Sequence, residues 1–485
     1  MTLFPVDQRI GRRAFLSTSA AAGAGLAAAG CAPMLAEAAP RGSTTLPPLI
    51  DDIEHRTFAF FWDLANRENG LVPDRWPTPS FASIAAVGFA LTAYTIGVDR
   101  GWVRRSAARD LTLTTLKFFD TAKQGPAMSG ITGHKGFFYH FLDMKTGHRF
   151  RDTELSSVDS TLLFLGILHA VAYYDGADPV ERQIREIGAR VVAKAEWPWF
   201  QPDGKAISMG WHPDKGFIER RWDGYNEGMM VYILALGSAG HPIADGGWSL
   251  WTAPYDRFWR GEGATRRLAF APLFGHQYSQ MWIDFRGIRD APMRAAGLDY
   301  FENSRRATYA NRAYCAANPM GWAGYSKDVW GLTACDGPAN AMLRHNGHQA
   351  QYYGYAARGP IAEPDGLDDG TIAPTAVLGS LAFAPEICVP AAEALHRVHG
   401  SRIYGKYGFL DSFNPSFNYT DVKTDSGTID ARYGWVAKDY LGIDQGAIIG
   451  AIANTRDGAV WRAMRTSDVI RRGLKRAGFT GGWLG

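Results

Sequence analysis

Cysteine is scarce in this chain, with four residues among 485. No two of them follow the C-x-x-C spacing that marks zinc sites and thiol redox motifs, so neither kind of site is predicted. Cys31 lies near the N-terminus, which leaves Cys315, Cys335 and Cys388 for the folded body. A Cys315–Cys335 disulfide in an oxidising compartment and three buried thiols are both compatible with this arrangement.

An excess of charge of one sign is also missing. The 51 basic and 48 acidic residues give a net charge of +3, which excludes the strongly basic surface expected of a protein that binds nucleic acid or an anionic membrane. No uncharged apolar run of about 18 residues follows residue 50, so the sequence predicts no transmembrane span. With 46% hydrophobic and 13% aromatic residues, the composition predicts a globular protein with a large core.

Several catalytic motifs are absent as well. The sequence contains no G-x-S-x-G nucleophile elbow, no H-E-x-x-H zinc motif and no P-loop. Single histidines at scattered positions are interpreted as hydrogen-bonding loop residues and not as metal ligands: His134, His140, His345 and His348. The sequence therefore predicts no metal and no other cofactor.

The first 38 residues have the features of an export signal. Arg12 and Arg13 precede an uncharged stretch rich in alanine and glycine, which is the pattern of a twin-arginine signal. Cleavage after the A-x-A site at residues 36–38 is one predicted outcome, and a lipid anchor on Cys31 is the other. Both predict a periplasmic or cell-surface protein. Residues 39–48 form a short lead-in.

Residues 49–478 show one repeated helical unit. Each unit has a helix of small and apolar residues, a turn with glycine or aspartate, and an amphipathic charged helix. Helices that are apolar all round are buried, whereas those with one apolar stripe face water on their other side. The clearest segments are 50–66, 81–98, 106–120, 154–174, 179–195, 226–236, 445–453 and 460–476. The alternation predicts an all-α (α/α)6 barrel forming one catalytic domain, with an irregular all-α bundle as the alternative.

Aromatic and charged residues are mixed in the loops between these helices. Residues 210–228 and 248–260 contain both types at high density without an amphipathic period. Sugars are bound by such mixtures, because pyranose faces lie on aromatic rings while hydroxyl groups bond to charged side chains. We therefore predict an oligo- or polysaccharide partner that is bound by Trp211, Trp222 and Tyr225. Core packing is the alternative for each ring.

Carboxylates next to predicted helix starts are the candidate catalytic groups. Glycoside hydrolysis generally needs one protonated carboxylic acid and a second carboxylate that acts as base or nucleophile. Glu227 begins an apolar helix, where burial against aromatic rings favours the protonated form that a general acid needs. The other candidates are Glu154, Asp159 and Asp444 for catalysis, and Asp369 and Asp411 for substrate binding. Helix capping is the alternative for Asp159 and Asp444.

Several longer stretches resemble the bacterial glycoamylase-like family, which includes endo-β-1,2-glucanases and a domain of cyclic β-1,2-glucan synthases. The stretches are residues 151–168, 220–237, 353–386, 407–416 and 438–452. Three blocks in this order, GYNEG, DDGTIAPTA and LGIDQG, make the resemblance specific. It extends over residues 49–478, which is nearly the whole chain after the export signal.

The resemblance implies an (α/α)6 barrel without a catalytic metal and hydrolysis by an inverting carboxylate pair. Glu227 takes the place of the acidic residue in the Tyr-Asn-Glu block, and Glu154 and Asp159 take those of the block around the Ser-Val-Asp helix start. One position departs from the family. Where relatives often read Ile-Glu-Asn, this chain has Ile452-Ala453-Asn454, so the role of that glutamate is not carried over.

The function predicted from these features is an exported glycoside hydrolase that cleaves a β-glucan, with β-1,2-glucan as the favoured substrate. The alternatives are an exo-acting glucosidase, a lyase on the same barrel, and a non-catalytic periplasmic glucan-binding protein. A hydrolase of either type releases saturated sugars, a lyase releases unsaturated ends, and a binding protein releases nothing.

Overall fold

The computed structural model describes residues 44–485 and consists of an inner ring of helices surrounded by outer helices. Helix numbers follow chain order. The inner helices of the described chain are α2 (Ile84–Asp99), α4 (Ser157–Tyr173), α6 (Gly228–Gly237), α8 (Phe274–Trp282), α11 (Pro374–Leu378) and α13 (Gly442–Arg456). The helices around and below them are α1 (Pro48–Leu64), α3 (Arg105–Thr121), α5 (Pro179–Ala193), α7 (Gly247–Thr252), α9 (Ala291–Ala296), α10 (Tyr300–Ala317), α12 (Pro385–Ile403), α14 (Ala459–Met464) and α15 (Asp468–Arg476).

The two kinds of helix differ in burial as their sequences predict. Every residue of α6 is buried, and α2 and α4 are buried along nearly their whole length. In α5, by contrast, Ile184 and Val191 lie on a buried face while charged residues lie on the exposed face. A helix without a polar face has to be surrounded by protein, so the apolar helices form the inside of the barrel.

Two glycines bring the inner helices α2 and α4 into backbone contact. A Cβ atom added at Gly88 would lie 2.2 Å from the Leu162 carbonyl oxygen, and one added at Gly166 would lie 2.0 Å from the Gly88 carbonyl oxygen. Both distances are far below van der Waals contact, so only glycine fits this crossing. The small residues of the inner helices therefore set how closely the ring closes.

Hydrogen bonds connect the starts of the inner helices around one end of the barrel, which we call the rim. The Ile84 N–H at the start of α2 donates to the His140 carbonyl oxygen, and the His140 N–H donates to the Glu154 carbonyl oxygen just before α4. Trp222 Nε1, in the loop before α6, donates to Ser157 Oγ at the start of α4. The remaining links join Tyr225 to His276, Leu273 to Leu332, Ala373 to Gly331, Thr375 to Asp444, and Gly442 to Asp74.

Short antiparallel strands occupy the loops. The longest form a hairpin of two five-residue strands, whereas most of the others have two residues. Three of the two-residue strands end directly before the inner helices α2, α4 and α13. The strands are β1 (Arg75–Trp76), β2 (Ala82–Ser83), β3 (Gly133–His134), β4 (Phe137–Phe138), β5 (Phe141–Leu142), β6 (Leu155–Ser156), β7 (Gly210–His212), β8 (Gly216–Phe217), β9 (Trp259–Arg260), β10 (Arg267–Leu268), β11 (Ala334–Cys335), β12 (Ala341–His345), β13 (His348–Tyr352), β14 (Ala356–Ala357), β15 (Tyr404–Gly405), β16 (Gly408–Phe409), β17 (Phe413–Asn414), β18 (Thr428–Asp430), β19 (Gly434–Val436) and β20 (Tyr440–Leu441).

The predicted (α/α)6 barrel is confirmed, with local corrections. The single helix predicted over residues 460–476 is two helices, α14 and α15, because the chain turns at Thr466 and Ser467 takes the N-cap position of α15. The sequence is compatible with a Cys315–Cys335 disulfide and with three buried thiols. In the structure, Cys315, Cys335 and Cys388 are free and buried.

The predicted export signal and most of the lead-in lie outside the described residues. Among the helices of residues 44–485, none combines the length and the apolar character needed to cross a membrane.

Candidate functional site

The four predicted catalytic carboxylates all lie at the rim. Glu154 comes just before α4, and Asp159 lies in the first turn of that helix. Glu227 occupies the N-cap position of α6, and Asp444 lies in the first turn of α13. The structure therefore gathers at one end of the barrel residues that are far apart in sequence, while their chemical roles stay predictions.

Helix capping explains the orientation of one of these carboxylates. Ser156 is the N-cap residue of α4, and its Oγ accepts the Asp159 backbone N–H at 3.1 Å and lies 2.5 Å from Asp159 Oδ2. Glu227 makes no side-chain cap of α6, and the N-cap position of α13 belongs to Leu441 and not to Asp444. Ser156 and not Asp159 is therefore the cap of α4, and neither Asp159 nor Asp444 is the N-cap residue of its helix.

A histidine lies between two of the candidate carboxylates. His140 Nδ1 is 3.0 Å from Glu154 Oε1, and His140 Nε2 is 3.5 Å from Asp159 Oδ1. His140 and Asp159 are buried, with exposed fractions of 1% and 2%, whereas Glu154 is half-buried. His140 was interpreted as a hydrogen-bonding loop residue, and its contacts agree with that. Its place at the site could not be predicted, because it precedes Glu154 without any motif.

The same three side chains carry the kinds of donor atom that could bind a metal ion. One donor atom from each of His140, Glu154 and Asp159 lies within 4.8 Å of the others. A metal ion binds one ring nitrogen of a histidine, however, and the two carboxylates here approach opposite nitrogens of the same ring. The shortest contacts of the two carboxylates are therefore with different ring nitrogens, and the absence of a catalytic metal stays a prediction.

A second carboxylate group surrounds the start of α13. Asp411 is 2% exposed and lies against Asp444. Burial, and then the nearby charges of Asp444 and Asp336, raises the pKa of Asp411 well above its usual value. Asp411 Oδ2 also accepts the Asp336 backbone N–H at 2.8 Å. The Asp411–Asp444 pair therefore keeps a proton at pH values at which an ordinary aspartate has lost it.

Arg75 holds the other carboxylates of this group. Its Nη1 lies 2.7 Å from Asp336 Oδ2 and 3.6 Å from Asp439 Oδ2, and its Nε lies 3.2 Å from Asp74 Oδ2. All four side chains are buried. One cation among three carboxylates leaves the region rich in negative charge, which favours protonation of the neighbouring carboxyl pair. Arg75 could not be predicted as a site residue, because its partners come from distant loops.

The backbone around Glu227 is fixed from both sides. Asn226 Oδ1 accepts the Gly228 N–H at 2.9 Å and Trp251 Nε1–H at 3.1 Å. Asn226 Nδ2 in turn donates to the Asp223 carbonyl oxygen. Glu227 itself is 8% exposed. These bonds fix the turn before α6, so the direction of the Glu227 side chain is set by its neighbours.

The structure corrects two of the three predicted sugar-binding rings. Trp222 and Tyr225 are 1% and 0% exposed, and their polar atoms bond to Ser157 Oγ at 2.9 Å and His276 Nδ1 at 3.0 Å. A ring that is covered on both faces cannot stack on a sugar, so these two are core residues that link neighbouring helix starts. Trp211 is half-buried, and its role in binding stays a prediction.

Asp369 is also corrected from substrate binding to a structural role. It forms a two-bond ion pair with Arg358, from Nε to Oδ1 and from Nη2 to Oδ2, each at 2.7 Å. Both side chains are 0% exposed. The Asp369 carboxylate also accepts the backbone N–H groups of Tyr353 and Thr371. Its oxygens are therefore occupied inside the protein. Asp411 is also buried, in the carboxyl pair, and its role in substrate binding stays a prediction.

An aromatic patch that the sequence did not predict lies beside His140. Phe81, Phe141 and Phe150 are half-buried, and the Phe81 ring centre is 4.1 Å from that of Phe141 and 4.8 Å from that of Phe150. Phe141 also stacks on His140, with ring centres 3.8 Å apart. Partly exposed rings next to carboxylates are suited to contact a sugar face. Phe141 lies on β5 and its carbonyl oxygen accepts the Phe150 N–H, whereas Phe81 is 60 residues earlier, so no local pattern marks the three.

These features define an (α/α)6-barrel protein with buried carboxylates at the start of its inner helices. The family model Glycoamylase, described as "Putative glucoamylase", matches residues 219–468, which is more than half of the 485 residues. The chain belongs to this family. The predicted resemblance is confirmed.

Two related proteins show how far the similarity extends. A solved structure of a "putative glucoamylase" from Bacteroides uniformis has 30% sequence identity and a TM-score of 0.75, and the match covers 91% of this chain and 100% of that one. The curated exo β-1,2-glucooligosaccharide sophorohydrolase (non-reducing end) of Parabacteroides distasonis is 26% identical over an alignment of 470 residues that covers 90% of this chain. The chain spans 59% of the length of that relative.

A third protein shares the fold. An endo-β-1,2-glucanase from Chitinophaga pinensis, solved with sophorotriose and glucose, has a TM-score of 0.73 and 24% identity. The match covers 90% of this chain and 99% of that one. At this identity, the similarity concerns the architecture of the barrel.

Proposed function

We propose that this protein is a glycoside hydrolase that cleaves β-1,2-glucan. Membership of the Glycoamylase family supports hydrolysis of a glucan. The relative from Parabacteroides distasonis, which acts on β-1,2-glucooligosaccharides by its name, supports the linkage. The observation that supports it most is that Glu154, Asp159 and Glu227 lie at the starts of two inner helices, α4 and α6, that contact each other.

Glu227 is the proposed general acid. It is nearly buried at the start of α6, and its side chain is not used to cap that helix. A buried carboxyl group is stabilised in its neutral form, which is the form that donates a proton to a leaving oxygen. The bonds to Asn226 hold the turn in place, so the acid is presented in one orientation.

Asp159 is the proposed general base. Its Oδ2 lies in hydrogen-bonding contact with Ser156 Oγ, and its Oδ1 faces His140. Hydrogen-bond donors stabilise an ionised carboxylate, and only the ionised form accepts a proton from water.

The reaction is a single displacement with inversion. Glu227 donates a proton to the glycosidic oxygen while the bond between that oxygen and the anomeric carbon breaks. A water oxygen forms the new bond to the anomeric carbon from the opposite face, and Asp159 takes the proton that this water loses. One water is consumed, no electrons are exchanged, and each cleavage gives one new reducing end.

The test is incubation of the purified protein with linear β-1,2-glucan, followed by separation of the products over time. Hydrolysis gives new reducing ends, and proton NMR of the first product shows the α-anomer if the β-linkage is cleaved with inversion. A mixture of oligosaccharides at early times indicates endo cleavage, and one short product indicates exo cleavage. Matched incubations with β-1,3-glucan and with starch measure the specificity for the linkage.

Three results would overturn parts of this proposal. Binding of the glucan without products would favour a glucan-binding protein, and products with ultraviolet-absorbing ends would favour a lyase. Faster cleavage of starch than of β-1,2-glucan would overturn the proposed substrate but not the proposed reaction.

We also propose that the protein is exported to the periplasm or the cell surface. Arg12, Arg13 and the A-x-A site at residues 36–38 support this proposal. Replacing both arginines by lysine should leave the full-length chain in the cytoplasm, as an immunoblot of cell fractions would show. A Cys31→Ala variant distinguishes a lipid anchor from cleavage at the A-x-A site. If Cys31 carries a lipid, the variant should no longer be found in the membrane fraction, whereas a protein cleaved after residue 38 should not change. Unchanged fractionation of the double arginine variant would contradict the signal.

A further inference from the structure

We infer that His140 is a positioning residue that holds the carboxylates of Glu154 and Asp159 in their working orientations. This inference rests on the proposed function, in which Asp159 is the base. His140 touches neither water nor substrate in this role, because it acts through the two carboxylates that flank it.

The geometry places one carboxylate on each side of the imidazole ring. Glu154 Oε1 lies 3.0 Å from Nδ1, and Asp159 Oδ1 lies 3.5 Å from Nε2. The first distance is that of a hydrogen bond, and the second is slightly longer than one. Since His140 is only 1% exposed, water does not compete for either nitrogen, and a buried ring is expected to use both.

The main chain and the neighbouring ring fix His140 in place. Its N–H donates to the Glu154 carbonyl oxygen at 3.0 Å, and its carbonyl oxygen accepts the Ile84 N–H at 3.3 Å. The imidazole stacks on Phe141 with ring centres 3.8 Å apart and an angle of 25° between the planes. A ring held in this way stays between its two carboxylates and therefore limits their movement.

Only the doubly protonated ring can donate to both carboxylates. A neutral imidazole has one N–H, and its other nitrogen would direct a lone pair at a negative oxygen. The imidazolium instead gives each carboxylate a charge-assisted donor. Both contacts can therefore be hydrogen bonds only when each ring nitrogen carries a proton.

Other charged groups lie close to the clamp. Arg149 Nη2 lies 3.4 Å from His212 Nδ1 on strand β7. Burial lowers the pKa of His212, while the Glu154 charge opposes that shift. Arg149 is the permanent positive charge near the two carboxylates.

Two substitutions separate the two contacts. In His140→Asn, the side-chain amide nitrogen takes approximately the position of Nδ1 and can donate to Glu154 only. In His140→Gln, the amide nitrogen takes approximately the position of Nε2 and can donate to Asp159 only. Neither amide titrates. The matched control is His169→Gln, because His169 is also a buried histidine, 2% exposed, and lies near the far end of α4 from the rim.

We expect both His140 variants to reduce kcat by about 10- to 100-fold while KM changes less than threefold, since a small displacement of a catalytic group affects turnover more than binding. The Gln variant, which keeps a donor for the base, should retain more activity than the Asn variant. His169→Gln should keep kcat and KM close to the wild-type values.

Several results would overturn the inference. Wild-type kcat in both His140 variants would show that the clamp is not needed. Equal loss of activity in His169→Gln would show that any buried histidine of this region acts through folding alone. Loss of wild-type activity in EDTA with recovery on adding Zn²⁺ would make the cluster a metal site.

The ring can also be observed without turnover. Nitrogen-15 NMR of histidine-labelled protein shows which ring nitrogens of His140 take part in hydrogen bonds, and His140→Gln assigns the signals. We expect both nitrogens to be hydrogen-bonded, and the Nε2 signal to change in Asp159→Asn. A ring with only one hydrogen-bonded nitrogen would overturn the clamp. An inactive wild-type protein with both nitrogens hydrogen-bonded would overturn the proposed function and leave the clamp standing.

Discussion

Glu227 is the residue whose substitution tests acid catalysis most directly. Glutamine keeps the shape and the size of the side chain but cannot give a proton to the leaving oxygen. We expect Glu227→Gln to lower kcat by about 10²–10⁴-fold with a melting temperature close to that of the wild type. Glu219→Gln, at an exposed position of the loop before α6, is the matched control and should be fully active. A Glu227→Gln variant with more than about a tenth of wild-type kcat would remove Glu227 from this role.

Asp411 provides a test that depends on pH and not on catalysis. Its raised pKa means that the folded protein keeps a proton that the unfolded chain loses near pH 3.9, the usual aspartate value. The stabilisation from this proton is complete below that pH and is lost as the pH rises through the raised pKa. Asp411→Asn stays neutral at every pH, so its free energy of unfolding should fall less between pH 4 and pH 8 than that of the wild type.

Thermal melts over this pH range, with Asp214→Asn as the exposed control, would measure the effect. Parallel curves for the wild type and Asp411→Asn would contradict the protonated carboxyl pair. The comparison is informative even without a substrate, because it measures the linkage between protons and folding.

Replacement of Trp222 tests whether its ring packs in the core or stacks on a sugar. Because the ring is buried and bonded to Ser157, Trp222→Ala should lower the free energy of unfolding by about 3–5 kcal/mol. KM of the folded fraction should stay near the wild-type value. The control is Trp259→Ala, since that ring is half-buried under Arg266 and its loss should destabilise less. A raised KM with an unchanged melting temperature would restore the binding role of Trp222.

At the scale of the elements, the crossing of α2 and α4 makes a clear prediction. A methyl group at Gly88 would collide with the backbone of α4, which cannot move aside as a flexible side chain can. Gly88→Ala should therefore destabilise the fold by about 1–3 kcal/mol or more, measured by chemical denaturation. The matched control is Gly246→Ala, where nothing lies within 4 Å of the added carbon. Equal stability of both variants would show that the two helices can separate without loss.

Much of the helix pattern could be predicted, because burial imposes it on the sequence. The apolar composition of α6 and the single apolar stripe of α5 give each helix its place in the barrel. The turn between α14 and α15 was missed, since the amphipathic period continues across it and does not show where the backbone leaves the helix. The strand pairs around the rim were missed as well, because pairs of two residues are too short to give a period.

At the scale of the whole molecule, the neutral character of the proposed substrate makes a prediction about salt. A glucan has no counterions to release, so KM should change less than about twofold when salt is raised from 20 to 300 mM, in contrast to the steep dependence of ligands bound through ionic contacts. Initial rates over a range of glucan concentrations at each salt concentration would measure this. A KM that rises tenfold would contradict binding through rings and hydroxyl groups.

The sequence alone determined the architecture and the position of the acidic blocks, because helical periodicity and the glycine-flanked carboxylates at helix starts are local features. It determined that Glu154, Asp159, Glu227 and Asp444 lie near the starts of inner helices. Only the tertiary structure decided which of the neighbouring side chains face the rim and which face the core.

That decision depends on contacts between residues that are distant in sequence. The rings of Trp222 and Tyr225 turn inward because their polar atoms form hydrogen bonds with side chains on α4 and α8. The Asp369 carboxylate is paired with Arg358. His140 contacts the carboxylates of Glu154 and Asp159, which lie at the start of α4. Spacing along the chain carries no information on such partners, because the closure of the ring brings them together.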